Sequence, residues 1–142
     1  AGAFPSKSFQ DMFEFLETHA EYHGVLFFGV GLPQKHWCKR DAYILQGCDE
    51  EKCWNAGQIN AFLSVWRKGQ FAKDLSAMWL HEATNKSIID DGASTHGPEL
   101  AGFREHRHDQ AVITNIMNRE GYLYGPSGWR LENYIVHDRY TF

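Results

Sequence analysis

Three short polar runs carry the groups best able to bind or transform a ligand. The first is Trp54-Asn55-Ala56-Gly57-Gln58. Its Asn and Gln amides donate and accept together, which suits a hydroxyl-rich ligand. Gly57 allows the backbone to approach a ligand closely or to take a positive φ. The same residues also describe an ordinary turn. The second run is Arg104-Glu105-His106-Arg107-His108-Asp109-Gln110, which leads directly into an apolar helical pattern. A helix N-terminus attracts anions, with Arg104 or Arg107 placed for phosphate. Asp109 suits an N-cap, and with Gln110 it forms a pair of acceptors for a ligand. His106 and His108 stand two apart, which is not the helical spacing that puts two imidazoles on one metal. The third run is His137-Asp138-Arg139, leaving the apolar step Ile135-Val136. Lys35–Asp41 (KHWCKRD) adds Lys39 and Arg40 near Trp37, either to hold a diphosphate or as a solvated helix face.

The elements that must position these runs are set by hydrophobic period. Phe9, Met12, Phe13, Leu16 and Ala20 form a helical stripe, with Ser8 and Asp11 as a capping box and Gly24 as the stop. Val25–Val30 reads as a buried strand, and Trp37–Gln46 as a short helix ending at Gly47. Ile59–Trp66 (INAFLSVW) reads as a second strand. Phe71, Leu75, Met78 and Trp79 mark a second amphipathic helix, and Val112, Ile113, Ile116 and Met117 a third that stops near Gly121. Between these helices, Ser87–Ile89 is a short apolar step and Asp90–Glu105 a long polar loop, a length usually functional or mobile. The tail turns at Tyr124–Gly128 and then forms a strand at Tyr134–Val136. Strands alternating with helices predict an α/β fold, and the polar runs fall at element ends, where open α/β sheets place their sites.

The chain has 142 residues, one domain's length, and is 15% aromatic, enough for a sizeable core. Its net charge of −4 opposes a nonspecific nucleic-acid binder, which needs a basic surface. The longest apolar run, GVLFFGVGL, is far shorter than the roughly 20 residues of a membrane span. No charged-then-apolar leader opens the chain. Cys38, Cys48 and Cys53 include no CxxC pair, so reduced thiols are expected, with a single bridge between two of them as the alternative.

Together the polar runs resemble a nucleotide-sugar glycosyltransferase of the GT-A fold, near glycosyltransferase family 8. Asn55-Ala56-Gly57, with a strand closing on Trp66-Arg67 after it, is similar to that family's Asn-Ala/Ser-Gly segment. Asp109-Gln110 is similar to its Asp-Gln motif, and His137 to its late metal-binding His. KRDAYILQGCD and GFREHRHDQ look closer still to a related group of glycosyltransferase-like proteins. The resemblance runs from about Gly24 to His137. It implies a partial GT-A fold, a mixed sheet flanked by helices. The donor would be a nucleotide-sugar and the acceptor a glycan or another hydroxyl compound. Asn55 and Asp109 would bind sugar hydroxyls, and the Gln110 carbonyl would stabilise oxocarbenium-like charge. His137 would help hold Mn or Mg against the leaving diphosphate. That family's remaining metal ligands come from an Asp-x-Asp motif, which this sequence lacks. Ala1-Gly2-Ala3 is similar to the residues after the first Asp of such a motif, so the nucleotide-binding half is expected to precede Ala1 and the isolated chain to be inactive. The resemblance implies the Golgi or secretory lumen in a eukaryote, the cytoplasm or membrane periphery in a bacterium. Two other readings stand beside it. One is a carbohydrate-binding module stacking sugars on Trp37, Trp54 or Trp129. The other is a metal hydrolase using His106, His108, Asp109 and His137.

Overall fold

The computed structural model describes residues 9–125 throughout, together with the backbone of 3–5 and 135–137. In chain order the elements are β1 (Ala3–Pro5), α1 (Gln10–Thr18), β2 (Val25–Pro33), α2 (Arg40–Leu45), α3 (Glu51–Trp54), β3 (Gly57–Trp66), α4 (Gln70–Ala83), α5 (Lys86–Ile89), α6 (His108–Glu120) and β4 (Ile135–His137). Short 3₁₀ turns at Ala20–Tyr22 and Gln34–His36 flank β2. The chain is thus mixed α and β. Its described strand pairs, β2 with β3 and β1 with β4, are both antiparallel, where a mixed sheet was expected.

β2 explains why its sequence reads as an unbroken apolar run. Val25 and Phe27 pack into a core with Ile59, Leu75 and the α6 residues Val112, Ile113 and Ile116. Leu26 and Phe28 point the other way, against Met12 and Leu16 of α1 and Val65. A strand covered on both faces has no polar face to alternate with. Each such fully buried side chain contributes roughly 1.5–3 kcal/mol. The β2–β3 register is regular from Val25↔Trp66 to Phe27↔Ser64, then slips to Phe28↔Asn60 and again between Gly29 and Pro33. Such slips bend a strand and end its regular pairing. They leave the first residues of β3 free to face α6.

α6 is more deeply placed than a one-sided stripe predicts. Every residue from Ala111 to Met117 is buried, Thr114 and Asn115 included. It stops as expected at Gly121, which takes φ +73°, while the Tyr122 amide donates to the Met117 carbonyl. Gly47 ends α2 in the same way, at φ +65° with Cys48 N–H on the Tyr43 carbonyl.

Several expectations are corrected. α1 stops at Thr18, well ahead of the Gly24 expected to end it, and its stripe narrows to Met12 and Leu16, since Phe13 is 50% exposed. Its N-cap position is Phe9, and Ser8 lies outside the described residues. The expected helix over 37–46 begins only at Arg40, because Lys39 is extended (φ −67°, ψ 155°). β3 starts at Gly57, ahead of Ile59, and Gly57 has no positive φ. Asp109 is not the N-cap of α6; Arg107 is, and Asp109 sits in the first turn.

The largest correction concerns the thiols. Cys48 and Cys53 form a disulfide, and Cys38 stays free and buried. The tight turn between them brings their Cα atoms to 5.9 Å, inside the range a disulfide spans. Sequence spacing alone hides this, because the closure depends on Glu50 N–H bonding the Cys48 carbonyl and on the one-turn helix α3. Burial pushes the Cys38 thiol up to about 12, which makes it inert as a nucleophile at neutral pH. In denaturant without reductant, an alkylating reagent should label Cys38 alone. The double substitution Cys48→Ala with Cys53→Ala should lower the unfolding free energy by about 2 kcal/mol, the loop-closure value for so short a ring, read from urea titrations.

Candidate functional site

Two of the three polar runs meet at the heads of β3 and α6. The Gln110 side-chain NH₂ donates to Gln58 Oε1 at 2.9 Å. Beyond it, Thr114 Oγ1 accepts the Ile59 amide at 3.0 Å and donates to the Gln110 carbonyl at 2.7 Å. Tyr124 OH then donates to the Gly57 carbonyl at 2.7 Å and accepts from Asn118 Nδ2 at 2.9 Å. This polar seam locks the first turns of α6 onto the first residues of β3. The Asn55–Gly57 turn is held from its other side. Gln34 N–H donates to the Ala56 carbonyl at 2.9 Å, and Lys35 Nζ donates to Asn55 Oδ1 at 3.3 Å. Asn55, Gly57 and Asp109 are all exposed, and a Cβ built on Gly57 would meet nothing within 4 Å. The Asp109 carboxylate has no hydrogen bond among the described residues; only its backbone carbonyl is engaged, by Trp79 Nε1 at 3.2 Å.

A second assembly joins α2 to the polar loop of residues 90–107. Helix N-termini present amides with no partner inside the helix. Here Glu99 Oε2 accepts the Arg40 amide at 2.8 Å, and Ser94 Oγ accepts the Asp41 amide at 3.0 Å. The Asp41 carboxylate in turn accepts the amides of Thr95 and His96 at 2.8–3.0 Å and the Thr95 hydroxyl at 3.1 Å. Burial alone would raise the Asp41 carboxyl, but these bonds outweigh it and hold the group at about 2. Lys39 is buried as well, with Nζ on the Asp90 carboxylate and on the Asp90 carbonyl at 3.0 Å. That lysine holds the Asp90 carboxyl below its ordinary value. Further along, Arg104 and Arg107 give their backbone N–H to the carbonyls of His36 and Trp37.

Between loop and helix lies an open pocket of about 280 Å³, lined by Lys39, Asp91, Glu99, Arg104, Glu105 and His106 among others. His106 is buried in its wall. Its Nδ1 accepts the Lys39 amide at 3.3 Å, while Nε2 has no hydrogen-bond partner among the described residues, although the Ile88 backbone lies near enough to favour the charged form slightly. Burial, with the nearby Lys39 and His108 charges, pushes the imidazole down to about 4. His108 opens α6 at φ +39°, an uncommon conformation for a non-glycine residue, and its Nε2 pairs with Asp91 Oδ1 at 2.8 Å.

The residues proposed from sequence therefore divide. Gln110, Asn55 and Gly57 share one neighbourhood, and Asp109 adjoins it in the first turn of α6. Lys39 and Arg104 line the neighbouring pocket, and His108 reaches its wall through Asp91. Lys39 is committed to Asp90. Arg40 is committed to Asp49 at 2.9 Å and stacks 5.3 Å from the Trp54 ring. Arg107 pairs with Glu105 at 2.8 Å and, like Arg104, lies over Trp37. Guanidinium groups thus occupy the Trp37 and Trp54 faces proposed for sugar stacking, and Trp129 lies outside the described residues. For His137 only the backbone is described, paired with Ala3; Asp138 and Arg139 lie outside the described residues. Among the described residues no group of three or more His, Cys, Asp or Glu side chains gathers to hold a metal. The described part of the chain does not by itself supply the Mn or Mg ligand set implied by the resemblance.

The sequence reading assigns no role to Asp41, Asp90, Glu99 or Asn115. Asn115 is fully buried, bonding Gln46 Oε1 at 2.8 Å and accepting from Gln34 Nε2 at 3.1 Å. The one signal in the sequence was an Asn within an otherwise apolar helix face.

His106 titrates near 6.5 when unfolded and near 4 when folded. Between those values the unfolded chain binds a proton the folded chain refuses, so stability falls as pH drops from 6.5 to 4. His106→Gln should flatten that part of the profile in thermal unfolding; an unchanged slope would refute the assignment. Asp41 is depressed, so its contribution is complete above 3.8 and disappears as pH falls through 2. Asp41→Ala should cost roughly 2–4 kcal/mol, as loss of charged hydrogen bonds to buried groups does, and should open residues 91–99 to limited proteolysis at neutral pH.

No protein-family model, curated protein or solved structure matches this chain.

Proposed function

We propose that this chain is the acceptor-side part of a nucleotide-sugar transferase of the GT-A type, moving a sugar from a nucleotide-sugar to a hydroxyl acceptor. The observation that carries the reading is the contact between its two motif ends. Asn55-Ala56-Gly57 and Asp109-Gln110 are far apart in sequence, yet Gln110 is bonded to Gln58, the residue after the turn, at 2.9 Å. That bond uses the Gln110 NH₂, and the side-chain carbonyl oxygen, which accepts no hydrogen bond among the described residues, can face positive charge developing at an anomeric carbon. Asp109 offers a carboxylate that is unpaired among the described residues for sugar hydroxyls, and the Asn55 NH₂ is unengaged among them too. Gly57 leaves open space above the turn, where a pyranose ring needs room. The clamp of residues 90–107 on α2 supports the reading indirectly, because it fixes the chain that enters α6 just before Asp109. His137 is the residue of this chain that would help hold Mn or Mg, which when bound would neutralise a leaving diphosphate.

The test uses the full-length protein from its natural coding region. Hydrolysis of a panel of UDP- and GDP-sugars with Mn²⁺ present should show turnover. Gln110→Ala and Asp109→Ala should each reduce kcat by about 10²–10³, the usual loss of one group that stabilises transition-state charge, with circular dichroism unchanged. Wild-type turnover in both variants removes these roles. A full-length protein that binds neither UDP nor GDP in calorimetry, with or without Mn²⁺, overturns the reading itself.

A further inference from the structure

Asn85-Lys86-Ser87 has the form Asn-x-Ser without proline between, and no other Asn in the chain stands two before a Ser or Thr. Such a triplet is an acceptor for N-linked glycan where it is surface-exposed in a secreted protein. All three residues are exposed. Asn85 caps α5, its Oδ1 accepting the Ser87 amide at 3.0 Å. That bond uses the oxygen only, and Nδ2 has no hydrogen bond among the described residues.

A second, independent observation concerns compartment. Cys48 and Cys53 are bridged and both fully buried. Disulfides of this kind form and persist in oxidising compartments and are rare where glutathione keeps thiols reduced. In eukaryotic cells the oxidising lumen is also where Asn is glycosylated. A third observation is the surface around Asn85. It lies on an open concavity of about 330 Å³ shared with Leu45, His81, Glu82, Thr84 and Ile88. Leu45 is 38% exposed there. A carbohydrate attached at Asn85 can lay its first rings into this concavity, over the exposed Leu45 and beside the polar His81 and Glu82.

We propose that Asn85 carries an N-linked glycan, added in an oxidising secretory lumen. In the transfer, Asn85 Nδ2 loses one proton and forms a bond to the anomeric carbon of a lipid-diphosphate-linked oligosaccharide. The bond from that carbon to the diphosphate oxygen breaks, and the lipid diphosphate leaves. No oxidant or reductant is required. The inference is independent of the transferase reading, since it uses neither the Asn55–Gly57 turn nor the Asp109-Gln110 pair that carries that reading.

The experiment examines the full-length protein from its own cells, and the same coding region expressed in a eukaryotic secretory host. Peptide-N-glycosidase digestion and subsequent peptide mapping should convert Asn85 to Asp in both samples. Without reductant, the peptides holding Cys48 and Cys53 should be found linked. Ser87→Ala removes the acceptor but keeps the backbone N–H that bonds Asn85, so the fold persists; it should abolish modification, and Ser87→Thr should retain it. An unmodified Asn85 in the natural protein overturns the proposal, whether the bridge is present or absent. So does a glycan on the Ser87→Ala variant.

Discussion

The interaction on which the rest depends is the reciprocal capping between the N-terminus of α2 and the loop of residues 90–107. α2 spans only Arg40–Leu45, too short to persist alone, because nucleating a helix fixes several residues for a single hydrogen bond. The loop contributes no strand of its own and must satisfy its polar backbone some other way. Each supplies what the other lacks. Glu99 and Ser94 reach the orphan amides of Arg40 and Asp41, and the Asp41 carboxylate takes the amides of Thr95 and His96. Asp90 completes the junction by pairing with Lys39, whose ammonium is buried and would otherwise carry an uncompensated desolvation cost. Loss of this junction frees the chain that leads into α6, and with it the position of His108, Asp109 and Gln110.

A second constraint fixes α6 laterally. Gln34, Gln46 and Asn115 form a buried amide network in which Asn115 bonds both glutamines, while Gln34 also reaches the Ala111 carbonyl and Gln46 that of Val112. Arg119 ties the Gln46 backbone carbonyl and Glu82 together at the other end of the helix. Apolar side chains would hold α6 against β2 in several rotations of similar energy. Amides with fixed partners admit few, because each alternative strands a buried donor or acceptor. The network therefore decides which face of α6 presents Gln110 to Gln58. Among the described residues Gln34 Oε1 and Gln58 Nε2 find no partner, so the arrangement is not free of cost.

What the sequence made legible is what depends on neighbours along the chain. The unbroken apolar run at Val25, the glycine stops at Gly47 and Gly121 and the apolar residues of α6 all report local periodicity or backbone freedom, and each element stands within a few residues of its expected place. The bond from Gln110 to Gln58, the residue after the Asn55–Gly57 turn, has no local periodicity to announce it; only a resemblance between short motifs set the two segments side by side. The capping junction was not legible at all. Lys39, Arg40 and Asp41 look like a basic patch, because the carboxylate that neutralises Lys39 and the side chains that cap the Arg40 and Asp41 amides lie 51–59 positions later, with no periodicity linking the two. Asp109 has the chemistry of an N-cap, yet the Trp37 carbonyl captures the Arg107 amide and the helix opens earlier. Tertiary hydrogen bonds override a local preference worth about 1 kcal/mol.

The disulfide brings these constraints to the candidate site. α3 is a single turn, and the Asn55–Gly57 segment comes directly after it. With so little helix, backbone bonds alone would let that segment fray. The Cys48–Cys53 bridge anchors it at one end, and Cys48 Sγ lies 3.3 Å from the Asn115 carbonyl on α6. Tyr124 anchors it at the other end, through the Gly57 carbonyl. The turn is thus suspended between a covalent link and a hydrogen bond, both referred to the same helix that carries Asp109 and Gln110. Opening the bridge would leave two buried thiols able to pack as small apolar groups, so the core would survive while the turn lost its fixed distance to α6. The coupling makes the geometry of the site, more than the fold, the property that depends on an oxidising environment.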